Sequence, residues 1–373
     1  MLYGSAAGLT ASGGQLFTQV GGTVEAGDEF GFALAAGDFN NDGFADLAVG
    51  APGEDVGSRE AAGAVSMLPG SAAGLTTSGG QLFTQVGGAV EAFDLFGWAL
   101  AAGDFNNNGF ADLAAGAPAE AVGSAGFAGA VSMLPGSAAG LTASGGQLFT
   151  QVGGNPEIGD EFGWALTTDD FNNDAFADLA VGAPFEDVGS RDGAGAVSML
   201  PGSAAGLTAS GGRLFTQVAG TVEARDLFGF ALAAGDFNNN GFGDLAAGAP
   251  REGVGSVSQA GAVSVLYGSA AGLTTTGGQL FTQVGGTVEV HDQFGAQLAT
   301  GDFNNNSFAD LAAAAPSEGV GSSFEAGAVS VLPGSAAGLT TSGGRLFTQN
   351  SAGVPGTAEV FDHFGGTPPP EAG

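Results

Sequence analysis

The sequence predicts an all-β protein, a β-propeller of four-stranded blades. Three observations lead there. The pair Phe-Gly opens a unit at Phe30, Phe96, Phe162, Phe228 and Phe294, each 66 residues after the last, and again at Phe364 after 70. Every unit holds four short apolar stretches punctuated by Gly, Pro, Ser and Asn, as strands are. No segment keeps a capped helical period.

The stretches follow in a fixed order. In the first complete unit FGFALAAGD and ADLAVGAP flank an acidic loop, AGAVSMLPG follows a variable loop, and QLFTQV closes the unit. The first stretch is rich in Ala and Gly, which suits a crowded axis where blades converge. A solenoid would need large stacked residues there. The units place one domain over residues 1–365, with blades at approximately 30–95, 96–161, 162–227, 228–293 and 294–363. Residues 1–29 read as half a blade and 366–373 as a Pro-rich tail. The Phe of each Phe-Gly, and Phe39, Phe105, Phe171, Phe237 and Phe303, read as packing between blades. Trp98 and Trp164, where Phe32 and Phe230 stand in other units, read as packing variants.

Composition narrows the function. The net charge of −32 makes nucleic acid and anionic membranes poor partners. Hydrophobic residues make up 44% of the chain and 29 are Phe, enough for a core despite 72 glycines. No apolar run is long enough for a membrane span, and the N-terminus does not read as a signal peptide. Without cysteine there are no disulfides or thiolate metal sites. Catalysis finds little support: His291 and His363 lie in dissimilar contexts, Lys and G-x-S-x-G are missing, and Glu54-Asp55 and Glu186-Asp187 sit in glycine-flanked loops. The expectation is a non-enzyme.

Phe-Gly, the D-x-N-x-D-G-x-x-D loop and Gly-Ala-Pro, in constant order over essentially residues 1–365, resemble the FG-GAP repeat of integrin α-subunit propellers and many bacterial surface proteins. The resemblance implies a calcium-stabilised propeller, usually of six or seven blades, in an extracellular setting. It also implies packing of FG against GAP and, as in integrins, ligand binding opposite the calcium loops.

Residues 1–29 align with 67–95, so Met1 falls on a position that is inside a strand elsewhere. The expectation is a fragment or a misplaced start, with overlap closure as the competing reading. Five blades could close alone, six could close with one incomplete, or a longer parent could supply more.

The acidic loops read as calcium sites, because positions 1, 3, 5, 7 and 9 offer an oxygen ladder that a single Asx-turn does not need. Loop 1 supplies Asp38, Asn40, Asp42, the Phe44 carbonyl and Asp46. Loop 2 supplies Asp104, Asn106, Asn108, the Phe110 carbonyl and Asp112. Loop 3 supplies Asp170, Asn172, Asp174, the Phe176 carbonyl and Asp178. Loop 4 supplies Asp236, Asn238, Asn240, the Phe242 carbonyl and Asp244. Loop 5 supplies Asp302, Asn304, Asn306, the Phe308 carbonyl and Asp310. An EF-hand fails because position 12 is Val49 rather than Glu and strands flank the loop; the nonapeptide β-roll fails on period. Up to five structural Ca²⁺ are expected, tightest at loop 1 and weakest at loop 5, where Ser307 replaces the turn glycine. Loop 3 has Ala175 there.

Any other function belongs where the copies differ. These places are the loop between strands 2 and 3, which carries Arg59, Phe127, Phe185, Arg191, Arg251 and Phe324, and the position of Gly27, Phe93, Gly159, Arg225 and His291. Neutral drift of these loops is the competing reading. The expected function is a calcium-stabilised extracellular or cell-surface module for adhesion or interaction, binding an unknown protein or glycan on the face opposite the calcium loops. The alternatives are an accessory domain of a larger secreted enzyme, or a spacer.

Overall fold

The computed structural model describes residues 1–5 and 8–369. The tail expected at 366–373 therefore lies partly outside the described residues. Five four-stranded antiparallel sheets follow one another as blades 1 to 5. Blade 1 is Leu34–Gly37, Asp46–Ala51, Ala64–Leu68 and Gln81–Phe83, paired in that order. The same four strands recur in the other blades, beginning at Leu100–Gly103, Ala165–Asp169, Leu232–Gly235 and Gln297–Gly301. Two small hairpins complete the strands, Tyr3–Ser5 with Gly8–Thr10 and Gly136–Ser137 with Gly140–Leu141. No helix occurs among the described residues. The protein is an all-β propeller.

The first strand of each blade is innermost and packs on the first strand of the next, from blade 1 through blade 5. Small residues permit that approach: a Cβ on Gly37 would sit 2.9 Å from the Cβ of Ala111 in the next blade. The second and third strands are almost wholly buried and form the core between sheets.

Two motif glycines fix the joint between blades. A Cβ on Gly50, the glycine of Gly-Ala-Pro in blade 1, would lie 2.0 Å from the carbonyl oxygen of Gly97, the glycine of the next Phe-Gly. The same clash would occur at Gly116, Gly182 and Gly248. Meanwhile Phe96 N–H donates to the Ala62 carbonyl at 3.1 Å. FG of one blade is thus clamped on GAP of the blade before it.

The phenylalanines after the first loop Asp fill the space between sheets. Phe39 packs with Leu113, Ala115 and Leu134 of blade 2 and is 0% exposed, as are Phe105, Phe171 and Phe237. Phe303 in blade 5 is 55% exposed, since no sixth sheet lies beyond it among the described residues. On the other side of the array Leu34 is 59% exposed. Among the described residues, the innermost strands of blades 5 and 1 lack the packing that joins consecutive blades. Residues 14–29 lie against blade 1 as 80–95 lie against blade 2: Val20 N–H donates to Ser66 Oγ at 3.3 Å, and Val86 N–H to Ser132 Oγ at 3.3 Å.

Candidate functional site

Each acidic loop joins strand 1 to strand 2, so all five open at one end of the sheets. The sequence-predicted ligands fall within one tight turn per blade. Asp38 takes both ends of the turn: its Oδ1 accepts Asp42 N–H at 3.0 Å and its Oδ2 accepts Gly43 N–H at 2.9 Å. Asp42 Oδ1 accepts Phe44 N–H at 2.9 Å, and Asn40 Oδ1 accepts Asp42 N–H at 2.9 Å. Asp104, Asp170, Asp236 and Asp302 repeat the first pattern. The second recurs at Asn108, Asp174, Asn240 and Asn306. Side-chain capping therefore shapes every loop. The turn position needs a left-handed backbone: φ is 88° at Gly43, 73° at Ala175 and 70° at Ser307.

Position 9 differs from the other four. Asp46 begins strand 2, is 1% exposed, and accepts Phe39 N–H at 3.0 Å and Gly70 N–H at 2.7 Å. It ties the loop to the corner after strand 3. Asp112, Asp178, Asp244 and Asp310 do the same. Burial raises the Asp46 carboxyl, and pushes Asp112 up to about 6 and Asp178 and Asp244 up to about 7, against their backbone hydrogen bonds. Exposed Asp302 is lowered by the N–H groups of Ser307 and Asn306.

The donor set fits a hard cation. It is oxygen only, and the Oδ1 atoms of Asn106, Asn172 and Asn238 are buried without a hydrogen-bond partner among the described residues. Asn106 and Asn238 turn their amide nitrogens to Asp112 and Asp244 at 2.9 and 3.1 Å. Among the described residues, no three His, Asp or Glu side chains converge tightly enough to form a metal cluster by themselves. Asn, backbone carbonyl and water oxygens would have to complete each sphere.

The other end of the sheets carries the strand 2–3 loops and the connections between blades. Here Phe32, Trp98, Trp164 and Phe230 form a continuous aromatic row, with ring centroids 4.5, 4.9 and 5.3 Å apart. Phe185, from a variable loop, meets Trp164 edge-on at 5.8 Å. Phe32 is 49% exposed. The sequence marked the two Trp only as packing variants. Their row follows from 66-residue periodicity, which puts one aromatic near the axis in each of blades 1 to 4, whereas blade 5 carries Ala296 there.

A second repeated cluster escaped the sequence reading. At each joint a Gln just after the closing strand, an Asp just before Phe-Gly and a Glu just after Gly-Ala-Pro come together. Gln85, Asp94 and Glu120 form one set and are 6%, 2% and 6% exposed. Gln85 Nε2 and Glu120 Oε1 both face Gly88, where a Cβ would lie 2.8 and 3.4 Å from them. Burial first, then the neighbouring Asp, pushes Glu120 and Glu186 up to about 7 and Glu252 and Glu318 up to about 8. The signal was present as a fixed spacing of Gln, Asp and Glu in every unit.

An array of FG-on-GAP joints, with an acidic loop between the first two strands of each blade, defines a class: repeat propellers carrying candidate cation loops at one end. The FG-GAP repeat model matches residues 30–68, 96–134, 162–200, 228–266 and 294–332. The chain belongs to the FG-GAP repeat family. It is similar to phosphatidylinositol-glycan-specific phospholipase D of Bos taurus, 34% identical over 164 residues, covering 43% of this chain and 19% of that protein. It is also similar to integrin alpha-V of Gallus gallus, 32% identical over 228 residues, covering 59% of this chain and 20% of that protein. The match thus spans about a fifth of either relative's length. The solved structure of rhamnogalacturonan lyase YesW aligns over 87% of this chain and 53% of its own, with a TM-score of 0.44 and 11% identity, a likeness too loose to argue from.

Proposed function

We propose that the chain is a calcium-stabilised, non-catalytic interaction module of an extracellular or cell-surface protein. The residues that would hold calcium are the oxygens of positions 1, 3, 5, 7 and 9 in each loop. Bound calcium would supply positive charge where acidic side chains crowd a turn. One observation carries the interaction reading. The end opposite the acidic loops gathers the segments that differ between copies and a partly open aromatic row, Phe32–Trp98–Trp164–Phe230. Aromatic rings anchor protein and sugar ligands at low entropic cost.

The test is a protein and glycan binding screen on the purified chain, with calcium and with EGTA, beside the double variant Trp98→Ala/Trp164→Ala. A ligand captured with calcium and lost in the variant supports the reading. Ligands captured equally by the variant would refute the aromatic face.

A second reading has its own support, the match to part of a phospholipase D. In it, the propeller is an accessory domain of a larger secreted enzyme, and catalysis resides in other domains.

A further inference from the structure

Five near-copies make their own control, since what stays fixed among drifting neighbours stands out. The segment before each Phe-Gly reads EAGD, EAFD, EIGD, EARD and EVHD in turn. The pair after each Ala-Pro reads GE, AE, FE, RE and SE. The acids never change, and neither does the Gln of each FTQV, while the residues between them do. Packing alone does not ask for carboxylates at a buried joint, where charge is costly unless it is paired or bound to a metal.

The joint between blades 2 and 3 shows the arrangement most plainly. Gln151, Asp160 and Glu186 are 6%, 2% and 7% exposed. Asp160 Oδ2 accepts Glu157 N–H at 2.6 Å. Gln151 Nε2 and Glu186 Oε1 flank one spot, since a Cβ on Gly154 would lie 2.7 and 3.5 Å from them. Gln151 Oε1 and Glu186 Oε2 are buried without a hydrogen-bond partner among the described residues. The same two oxygens are left over at Gln283 and Glu318. The charged groups acting on Asp160 and Glu186 are each other, Glu157 and Asp187, all of them acids. The pair therefore needs a positive charge from outside the chain, and its orphaned oxygens need a partner. At the copy of this cluster on blade 1, a cavity of about 450 Å³ lined by Glu25, Glu54 and Asp55 leaves room for water.

We propose that the joint between blades 2 and 3 binds a hard divalent cation of the calcium type through the carboxylates of Asp160 and Glu186 and the side-chain oxygen of Gln151. Water completes the shell, since calcium takes six to eight oxygens. The ion ties the end of blade 2 to the segments on both sides of the first two strands of blade 3. A shared proton would neutralise the two carboxyls but leave Gln151 Oε1 unpartnered. A lone water would serve the oxygens but leave the charge. A cation answers both. The site goes beyond the acidic loops and does not depend on them, because it lies at the other end of the sheets.

Trp164 supplies a local reporter. Its N–H donates to the carbonyl of Glu161, next to Asp160, and its ring meets Phe185, next to Glu186, at 5.8 Å. Loop 3 lies beyond the five-residue strand Ala165–Asp169, about 16 Å away. Terbium(III), a hard oxygen-seeking ion that stands in for calcium, is titrated into the chelated whole chain with excitation of tryptophan. Energy transfer fades steeply with distance, so the emission reads the joint rather than the loops. The expected result is saturable emission that calcium displaces. In Glu186→Gln, which keeps the shape and removes one charge, the apparent affinity should fall at least about tenfold, with a thermal melt to verify folding. Asp192→Asn, an exposed acid of the same blade, should leave it unchanged. Trp164→Phe, the ring that Phe32 and Phe230 supply in other blades, should remove most of the emission. Emission that does not saturate, that calcium does not displace, or that survives Trp164→Phe would each overturn the proposal. Equal affinity in Glu186→Gln would overturn it too, leaving a proton as the neutralising group.

Discussion

At the scale of single residues, the family motifs are explained by contact distances. Gly116 faces the Gly163 carbonyl oxygen, which a Cβ would approach to 2.1 Å. Both partners are backbone and cannot swing aside. Gly116→Ala should therefore destabilise the protein by about 1–3 kcal/mol, read as a lower denaturant midpoint. The opposite change is expected at Ala175, whose φ of 73° suits glycine. Ala175→Gly should stabilise loop 3 by about 1 kcal/mol. Equal midpoints for wild type and either variant would contradict the assigned geometry. The glycines and the turn position were legible in sequence, because each is a local rule about backbone conformation. The inward turn of Asp46 and its equivalents was not. Its partners, such as Gly70, lie 24 residues away, and only the folded corner brings them together.

At the scale of the element, the joint clusters set a pH dependence. Glu252 and Glu318 titrate at about 8 in the folded protein and near 4.5 when free. Below pH 4.5 both states hold the proton and nothing is lost. As pH rises from there to about 8, the unfolded chain releases protons that the folded chain keeps, so stability falls. Calcium-free protein should melt higher at pH 5 than at pH 8. Because the net charge pushes the same way, the discriminating sample is Glu252→Gln/Glu318→Gln, which should show a shallower slope. An unchanged slope would mean that these joints do not titrate as described. The loops form a second set of elements with unequal charge: loops 1 and 3 carry three carboxylates, and loops 2, 4 and 5 carry two. Titration of chelated protein with calcium should resolve stronger and weaker sites, and Asp42→Asn should move loop 1 into the weaker class. Five indistinguishable sites would contradict the ranking. The strand order was legible because period and turn residues agreed. The Gln–Asp–Glu cluster was missed because its members come from three elements of two blades, and no single stretch shows them.

At the scale of the whole molecule, blades add in one direction through repeated FG-on-GAP joints, and each sheet stands only as firmly as its neighbours. The exposed Leu34 and Phe303 mark the outer faces of the two end blades. Those blades should open first, and hydrogen exchange should be faster in blades 1 and 5 than in blade 3. Charge is the other global quantity: five calcium ions would bring −32 to about −22 and remove repulsion from one end of every sheet.

The most direct test is thermal unfolding of the purified chain with excess calcium and after EGTA. Sites held at about a hundred times their Kd each contribute about 2.7 kcal/mol, so the calcium-loaded protein should melt several degrees or more above the stripped one. Magnesium should substitute poorly, since it demands a small octahedral shell where calcium tolerates six to eight oxygens. Identical melting temperatures with and without calcium would contradict the account at its centre.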